Sequence, residues 1–393
     1  MDAPGCIISN LAEISFRAAR VSKRTKEQTM RWHELAEAVL QGRTITKEEA
    51  QEVLAVPEEE LLDLISACYR IRRHYHGKQV KLNMLINAKS GLCQEDCGYC
   101  SQSVVAESGV DRYSLLSKEV LLEGARQAVE LKAHTYCIVN SGRRPSAREL
   151  GHVLEAVREI RAQYPLRLCC CLGLLSDAEV NMLREAGVER INHNLNTSED
   201  YHHEVCSTHT YRDRVETVEA VKRAGVSPCS GGILGMGESD QQIVDLAFSL
   251  HELDVDSIPL NFLIPIAGTP LGGVEYLTPQ KCLAILCMFR LVNPSKEIRI
   301  AGGREYHLRS LQPLGLYVAD SIFIGDYLTT RGELPERDLQ MMEDLGFTAA
   351  FPPGQMIVPD YAPGITPEPV QVLAQGTATA KTTGGADGAA QQA

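Results

Sequence analysis

From residue 82 onward the chain alternates short apolar runs with amphipathic stretches. The runs are LNMLINA (82–88), TYCIVN (135–140), RLCCCLG (167–173), RINHNLN (190–196), SPCSGGI (227–233), SIPLNFLI (257–264), IRIAG (298–302) and DSIFIG (320–325). Their length and β-branched content suit buried strands. Stretches such as LLEGARQAVELKA, LGHVLEAVREIRAQY, DRVETVEAVKRAG and DQQIVDLAFSLHEL lie between them with helical periodicity, and ELPERDLQMMEDLG follows the last. Eight strands, each followed by a helix, predict the α/β class and a (β/α)8 TIM-type barrel of the usual length, roughly 250 residues. A doubly wound open sheet is the alternative.

Upstream, RWHELAEAVLQG reads as a helix ending at Gly42, and TKEE (46–49) as a capping box. A third helix, from Glu58 to about Tyr75, puts Leu61, Leu62, Ile65, Cys68 and Tyr69 on one face. Residues 1–80 are thus an N-terminal helical extension and 81–347 the barrel. Residues 348–393, Pro-rich and then Ala/Gly/Thr-rich, are read as a largely disordered tail. Near the start, Arg17, Arg20, Lys23 and Arg24 suit a transit peptide, while Asp2 and Glu13 argue against one.

The net charge of −12 and the lack of any long Lys/Arg run disfavour nucleic acid or an anionic membrane as partner. No run of about 18 apolar residues predicts a membrane span. Thirteen cysteines without a secretory signal point to a reducing, cytoplasmic setting in which thiols bind metal or stay free.

KSGLCQEDCGYCSQS (89–103) sets Cys93, Cys97 and Cys100 in a C-x3-C-x2-C run. Three thiolates on a four-iron cubane leave one iron open to a small molecule. The first gap is too long for a zinc knuckle, no second pair follows, and an odd number cannot form a disulfide set. Strand residues two apart share a face, so Asn192, Asn194 and Asn196 point one way, with His193 and Leu195 opposite. Amides turned outward beneath a helix would leave polar groups unpaired at about 1–3 kcal/mol each. They therefore belong in the lumen, as ligand contacts or as a polar plug, and His193 is read as a core histidine. Cys137, one of Cys169–Cys171, Cys229 and Arg299 also fall mid-strand, where branched aliphatics are usual. Each thiol alone reads as a small buried hydrophobe. Together they can hold a second cluster, and Arg299 has a second reading as the ion-pair partner of a lumen carboxylate. In SGGILGMGES, Gly231, Gly232, Gly235 and Gly237 allow close backbone approach to a ligand, but not at dinucleotide-fingerprint spacing. Cys6, Cys68, Cys170, Cys206, Cys282 and Cys287 receive no role.

The cysteine run with Tyr99 before its third Cys resembles the signature of radical S-adenosylmethionine enzymes. GLCQEDCGYCSQS, TYCIVNSGR, INHNLNTS, CSGGILGMGE and IRIAGGRE together resemble the biotin synthase family over roughly residues 50–347, with LTT (328–330) a weaker match. The resemblance implies radical insertion of sulfur into dethiobiotin at two unactivated C–H positions to form biotin. It implies a 4Fe–4S cluster on Cys93, Cys97 and Cys100 that binds S-adenosyl-L-methionine. It also implies a 2Fe–2S cluster on Cys137, Cys169, Cys229 and Arg299 that gives up the sulfur. Cys169 is the family position, four before Gly173, but Cys171 shares its face and competes. By the same resemblance Tyr99, Gly231, Gly232, Asn196 and Arg214 line the cofactor, with Asn196 standing where many relatives have Asp. Asn194, Asn261 and Lys89 meet the substrate, although Lys89 also reads as a solvated loop lysine. A flavodoxin- or ferredoxin-like electron donor and a homodimer are implied as partners. Two rivals stay open: another enzyme of the subgroup, of hydrogenase-maturation or methylornithine-mutase type, and a non-enzymatic metal-binding module.

Overall fold

In a computed structural model that describes residues 30–351, parallel strands close on themselves. They are β1 (Gln79–Lys89), β2 (Thr135–Asn140), β3 (Arg167–Cys171), β4 (Arg190–Asn192), β5 (Ser227–Cys229), β6 (Gly232–Leu234), β7 (Ser257–Phe262), β8 (Glu297–Ile300) and β9 (Ser321–Phe323). β5 and β6 are two pieces of one stave, and β9 pairs back onto β1 with Lys81 opposite Ser321. That last pairing closes the barrel and removes the open-sheet alternative. Every strand begins within two residues of its expected start, except β1, which starts three residues earlier.

The break between β5 and β6 has a local cause. Pro259 in β7 offers no N–H to the ladder, and the chain beside it closes in at Gly231, where a Cβ would stand 1.9 Å from the Pro259 carbonyl oxygen. Gly231→Ala is expected to cost at least about 1–3 kcal/mol through forced backbone shifts. An unchanged urea midpoint would contradict this packing account.

The extension contains three helices: residues 30–40, Lys47–Leu54 and Leu61–His76. Thr46 and Glu49 form the expected capping box. Lys47–Leu54 and Leu61–His76 lie against the helix Pro279–Val292, which is buried at every position from Cys282 to Val292. A helix apolar nearly all round, with Arg290 as its one buried charge paired to Asp320, is what a position between the barrel and an outer layer requires. Cys68, Cys282 and Cys287 are core residues there, the Cys68 thiol donating to the Cys287 carbonyl at 3.7 Å. Leu62 corrects the expectation for the third helix: it is 65% exposed, while Leu61, Leu64, Ile65, Cys68 and Ile71 form the buried stripe. The stripe steps by three and four residues, and Leu62 falls beside it.

Order continues past 347: Thr348–Ala349 forms β10, a short strand on β1 at Gln79 and Val80. Residues 352–393 and 1–29 lie outside the described residues.

His134, 5% exposed ahead of β2, is lowered by burial to about 4. The fold thus holds it neutral, whereas an unfolded histidine takes a proton below about 6.5. Its contribution is complete above that value and is lost as pH falls toward 4, by up to about 3 kcal/mol. His134→Gln should flatten the pH dependence of the urea midpoint over this window, and an unchanged slope would refute the assignment.

Candidate active site

Alternation along the strands turns Cys137, Cys169, Cys171 and Arg299 into one cavity, about 260 Å³ in volume, together with Asn192, Asn194 and Asn261. Cys137 and Cys169 are directly opposite in the ladder, their sulfurs 3.2 Å apart. The Cys137 thiol donates to Cys169, which is pushed down by that bond and by Arg190, Arg299 and Arg167 despite its burial. Cys171, on the same face, is instead pushed up to about 12 by burial. Cys170 points the other way, into the apolar core. Cys229 is fully buried, and its sulfur accepts from Asn192 Nδ2 at 3.3 Å.

Beneath these thiols lies a charged floor. Arg299 Nε donates to Ser321 Oγ at 3.0 Å, and Nη2 donates to Ser257 Oγ at 3.2 Å and to the Glu297 carboxylate. Nη1 has no protein partner among the described residues, and the guanidinium lies over the Phe323 ring at 5.1 Å. Glu297 also accepts from Arg190 Nη1 at 2.9 Å and Lys81 Nζ at 3.1 Å. Burial opposes its charge, yet Arg190, Arg299 and Lys81 hold its carboxyl well below the usual range. The ion-pair reading of Arg299 is therefore realised, and it leaves one nitrogen unpaired beside the thiols.

The asparagines divide their amides between backbone and cavity. Asn194 Oδ1 accepts from Asn192 Nδ2 at 2.9 Å and from the Gly231 amide at 3.2 Å. Among the described residues Asn194 Nδ2 and Asn192 Oδ1 are left without protein partners, a donor and an acceptor on the cavity wall. Asn261 spends its amide on strand neighbours, donating to the Gly232 carbonyl at 3.1 Å and accepting from the Gly302 amide at 3.0 Å. Asn196 has left the strand with φ +71°, and its side-chain amide oxygen accepts from Tyr99 Oη and from Arg214 at 3.2 and 3.3 Å. His193 is buried away from the cavity, with Nε2 unpaired. The close neighbours that exclude a side chain at Gly231 and Gly232 are Pro259 and Leu246 of the protein itself.

The 89–103 loop closes over the C-terminal end of the barrel, where TIM-type enzymes carry their sites. It is stapled on both sides: the Gly98 amide donates to the Val205 carbonyl at 2.9 Å, and the Gly98 carbonyl accepts from Leu271 at 3.2 Å. Ser101 meets Thr329 of the LTT segment at 2.9 Å. Cys93 and Cys100 are half-buried, and Cys97 is buried. Lys89 does not line the cavity. Its ammonium pairs with Glu149 at 2.7 Å, the same carboxylate that caps its own helix at Ser146. Around this mouth are buried polar atoms with no protein partner among the described residues: both amide atoms of Asn140, Ser141 Oγ, Ser103 Oγ and Ser198 Oγ. Such atoms are normally satisfied, so they mark where a polar guest fits. None of Asn140, Ser141 or Ser198 was singled out by sequence, although their place at strand ends was a usable signal.

A closed parallel barrel with a C-x3-C-x2-C loop across its mouth is the architecture of a radical S-adenosylmethionine enzyme. Residues 89–250 match the Radical SAM superfamily model, and residues 259–348 match that of the Biotin and Thiamin Synthesis associated domain. The chain is 57% identical to the biotin synthase of Bacillus cytotoxicus over 316 residues, 80% of this chain and 95% of that one. It is 56% identical to the biotin synthase of Bacillus mycoides over 321 residues, 81% of this chain and 97% of the relative. The chain belongs to the biotin synthase family. Among solved structures its fold is similar to methylornithine synthase (TM-score 0.71, 21% identity, covering 80% of this chain and 97% of that one). It is also similar to the hydrogenase maturase HydG of Carboxydothermus hydrogenoformans (TM-score 0.69, 17% identity, covering 89% and 86%). Those two likenesses concern the fold alone. Among the described residues no helix is long and apolar enough to cross a membrane.

Proposed function

We propose that this chain makes biotin from dethiobiotin by radical insertion of sulfur, and that its four lumen ligands are Cys137, Cys169, Cys229 and Arg299. The observation that carries the reading is the convergence of three thiols and one guanidinium, from four different staves, below a three-cysteine loop. The donor set fits both clusters: soft thiolates suit iron–sulfur ligation, and Arg299 keeps Nη1 free while its other nitrogens are held. When bound, the two clusters and S-adenosyl-L-methionine supply the electron, the 5′-deoxyadenosyl radical and the sulfur atom.

The protein's own part is to bind, orient and exclude. Cys93, Cys97 and Cys100 would hold the 4Fe–4S cluster, with the unpaired Asn140, Ser141 and Ser198 groups and Tyr99, Asn196 and Arg214 beside it. Asn194 Nδ2 and Asn192 Oδ1 suit a cyclic urea, which offers a carbonyl and N–H groups. Asn261 acts mainly by fixing the strands on which that pair depends. Apolar Leu85, Val139, Ile233, Phe262 and Phe323 complete a wall suited to an alkyl chain and unfavourable to water. Leu92, Val104 and Val105, on and just after the loop, are 47%, 63% and 46% exposed, and a flavodoxin- or ferredoxin-like donor would dock beside them. The described cysteines are all free, in keeping with a reducing, cytoplasmic location.

Anaerobic reconstitution tests the reading. Expected are two cluster types per chain, with 5′-deoxyadenosine and biotin formed from dethiobiotin. Deoxyadenosine without biotin, from a chain carrying only the loop cluster, would refute it.

A further inference from the structure

Cys206 received no role from the sequence, and the biotin-forming reaction uses neither it nor His209. Both lie on the segment that staples the cysteine loop, and both are buried, at 5% and 8% exposure. The Cys206 sulfur stands 3.7 Å from that of Cys97, 3.3 Å from His209 Nδ1 and 3.7 Å from His209 Nε2. One ligand atom from each of Cys97, Cys206 and His209 can be chosen so that all lie within 4.8 Å of one another. A tetrahedral zinc ion, with Zn–S near 2.3 Å and Zn–N near 2.0–2.1 Å, needs S···S edges of about 3.8 Å and S···N edges of about 3.5 Å. The S···S edge already stands at that spacing, and the His209 ring lies against Cys206 close enough that a turn of the imidazole completes the set.

The surroundings are those of a metal site. Glu95 Oε2 contacts His209 Nδ1, a carboxylate–histidine pairing of the kind common around zinc. Asp96 Oδ1 lies 3.1 Å from the Cys206 sulfur, at hand for the fourth position. The two segments are locked in register, because Asp96 also accepts from the Ser207 and Thr208 amides at 3.0 and 3.2 Å.

We propose that Cys97, Cys206 and His209 form a tetrahedral site for a thiophilic divalent cation of the zinc class in the cluster-free chain. Because Cys97 belongs to this site and to the loop triad, occupation by zinc and by the 4Fe–4S cluster exclude each other. Zinc then holds the chain in a form that cannot receive its cluster.

The test uses the full-length protein stripped of iron anaerobically and titrated with Zn²⁺ alone against a chromophoric chelator. One equivalent should bind. Cys206→Ser and His209→Ala should each weaken binding by more than about a hundredfold, and Glu95→Gln by roughly 10–100-fold. Cys93→Ser and Cys100→Ser should leave affinity unchanged. Co²⁺ on the unsubstituted protein, which does not depend on any variant folding, should give the spectrum of a tetrahedral ion with two thiolates. The zinc-loaded protein should take up no cluster iron at the loop, while Cys206→Ser should do so with zinc present. Dependence on Cys93 and Cys100 instead of Cys206, an octahedral cobalt spectrum, or cluster uptake undisturbed by zinc would each overturn the proposal. Iron and sulfide uptake by the zinc-free protein reports separately on the cluster reading.

Discussion

Glu297→Ala is expected to destabilise the cluster-free barrel by about 3–5 kcal/mol, the usual cost of breaking a buried ion pair by removing one partner. The carboxylate is 2% exposed and accepts from Arg190, Arg299 and Lys81, with Ser257 and Ser321 completing its shell. Without it, Arg190 and Arg299, both under 5% exposed, are left in a low-dielectric interior with no opposing carboxylate. Urea unfolding of the iron-free protein measures this without interference from cluster loss. A midpoint shift worth less than about 1 kcal/mol would show that the guanidinium charges are compensated elsewhere, since surface pairs alone contribute that much.

The same carboxylate gives the barrel an acid limit. Its folded pKa is depressed, so its stabilisation is complete above the unfolded value near 4.3 and is lost as pH falls below that, through the folded value. His134 acts in the adjoining window, from about 6.5 down to 4. The two are coupled, because the Glu297 charge partly offsets the burial that lowers His134: Glu297→Gln should remove the loss at lower pH and deepen the one above it, which His134→Gln should remove.

Much of this was legible along the chain because it depends on local period. Alternation placed Asn192 and Asn194 in the lumen and separated Cys170 from Cys169 and Cys171, since a strand has only two faces. Asn196 escaped that rule because β4 ends at Asn192 and the backbone takes a positive φ at Asn196 itself. Leu62 was misplaced because one residue along a helix rotates the side chain by about a hundred degrees. The glycines at 231 and 232 were visible, but their closest neighbours, Pro259 and Leu246, are contacts across strands that no spacing reveals. The Glu297–Arg190 pair joins strands 107 residues apart, and Cys97–Cys206 spans 109. Such pairs depend on which staves face each other across the barrel, which follows from closure and not from any single segment.

Closure also decides which thiol of the CCC run serves the lumen, and this gives the second large effect. Cys169→Ala should abolish the inner cluster and biotin formation while deoxyadenosine production from S-adenosyl-L-methionine continues, because the loop triad is untouched. Cys171→Ala should keep both clusters and most activity. The two sulfurs share a face, but only Cys169 lies opposite Cys137, 3.2 Å from its sulfur, and Arg190, Arg299 and Arg167 draw it toward the thiolate that ligation requires. Cys171 is held as a thiol by burial, up at about 12, and sits one pleat nearer the mouth. Iron and sulfide analysis with visible absorption reads the clusters, and product chromatography reads deoxyadenosine and biotin separately. If Cys171→Ala loses the inner cluster and Cys169→Ala retains it, the ligand set moves one pleat toward the loop and Arg299 is left with only its ion pair to Glu297.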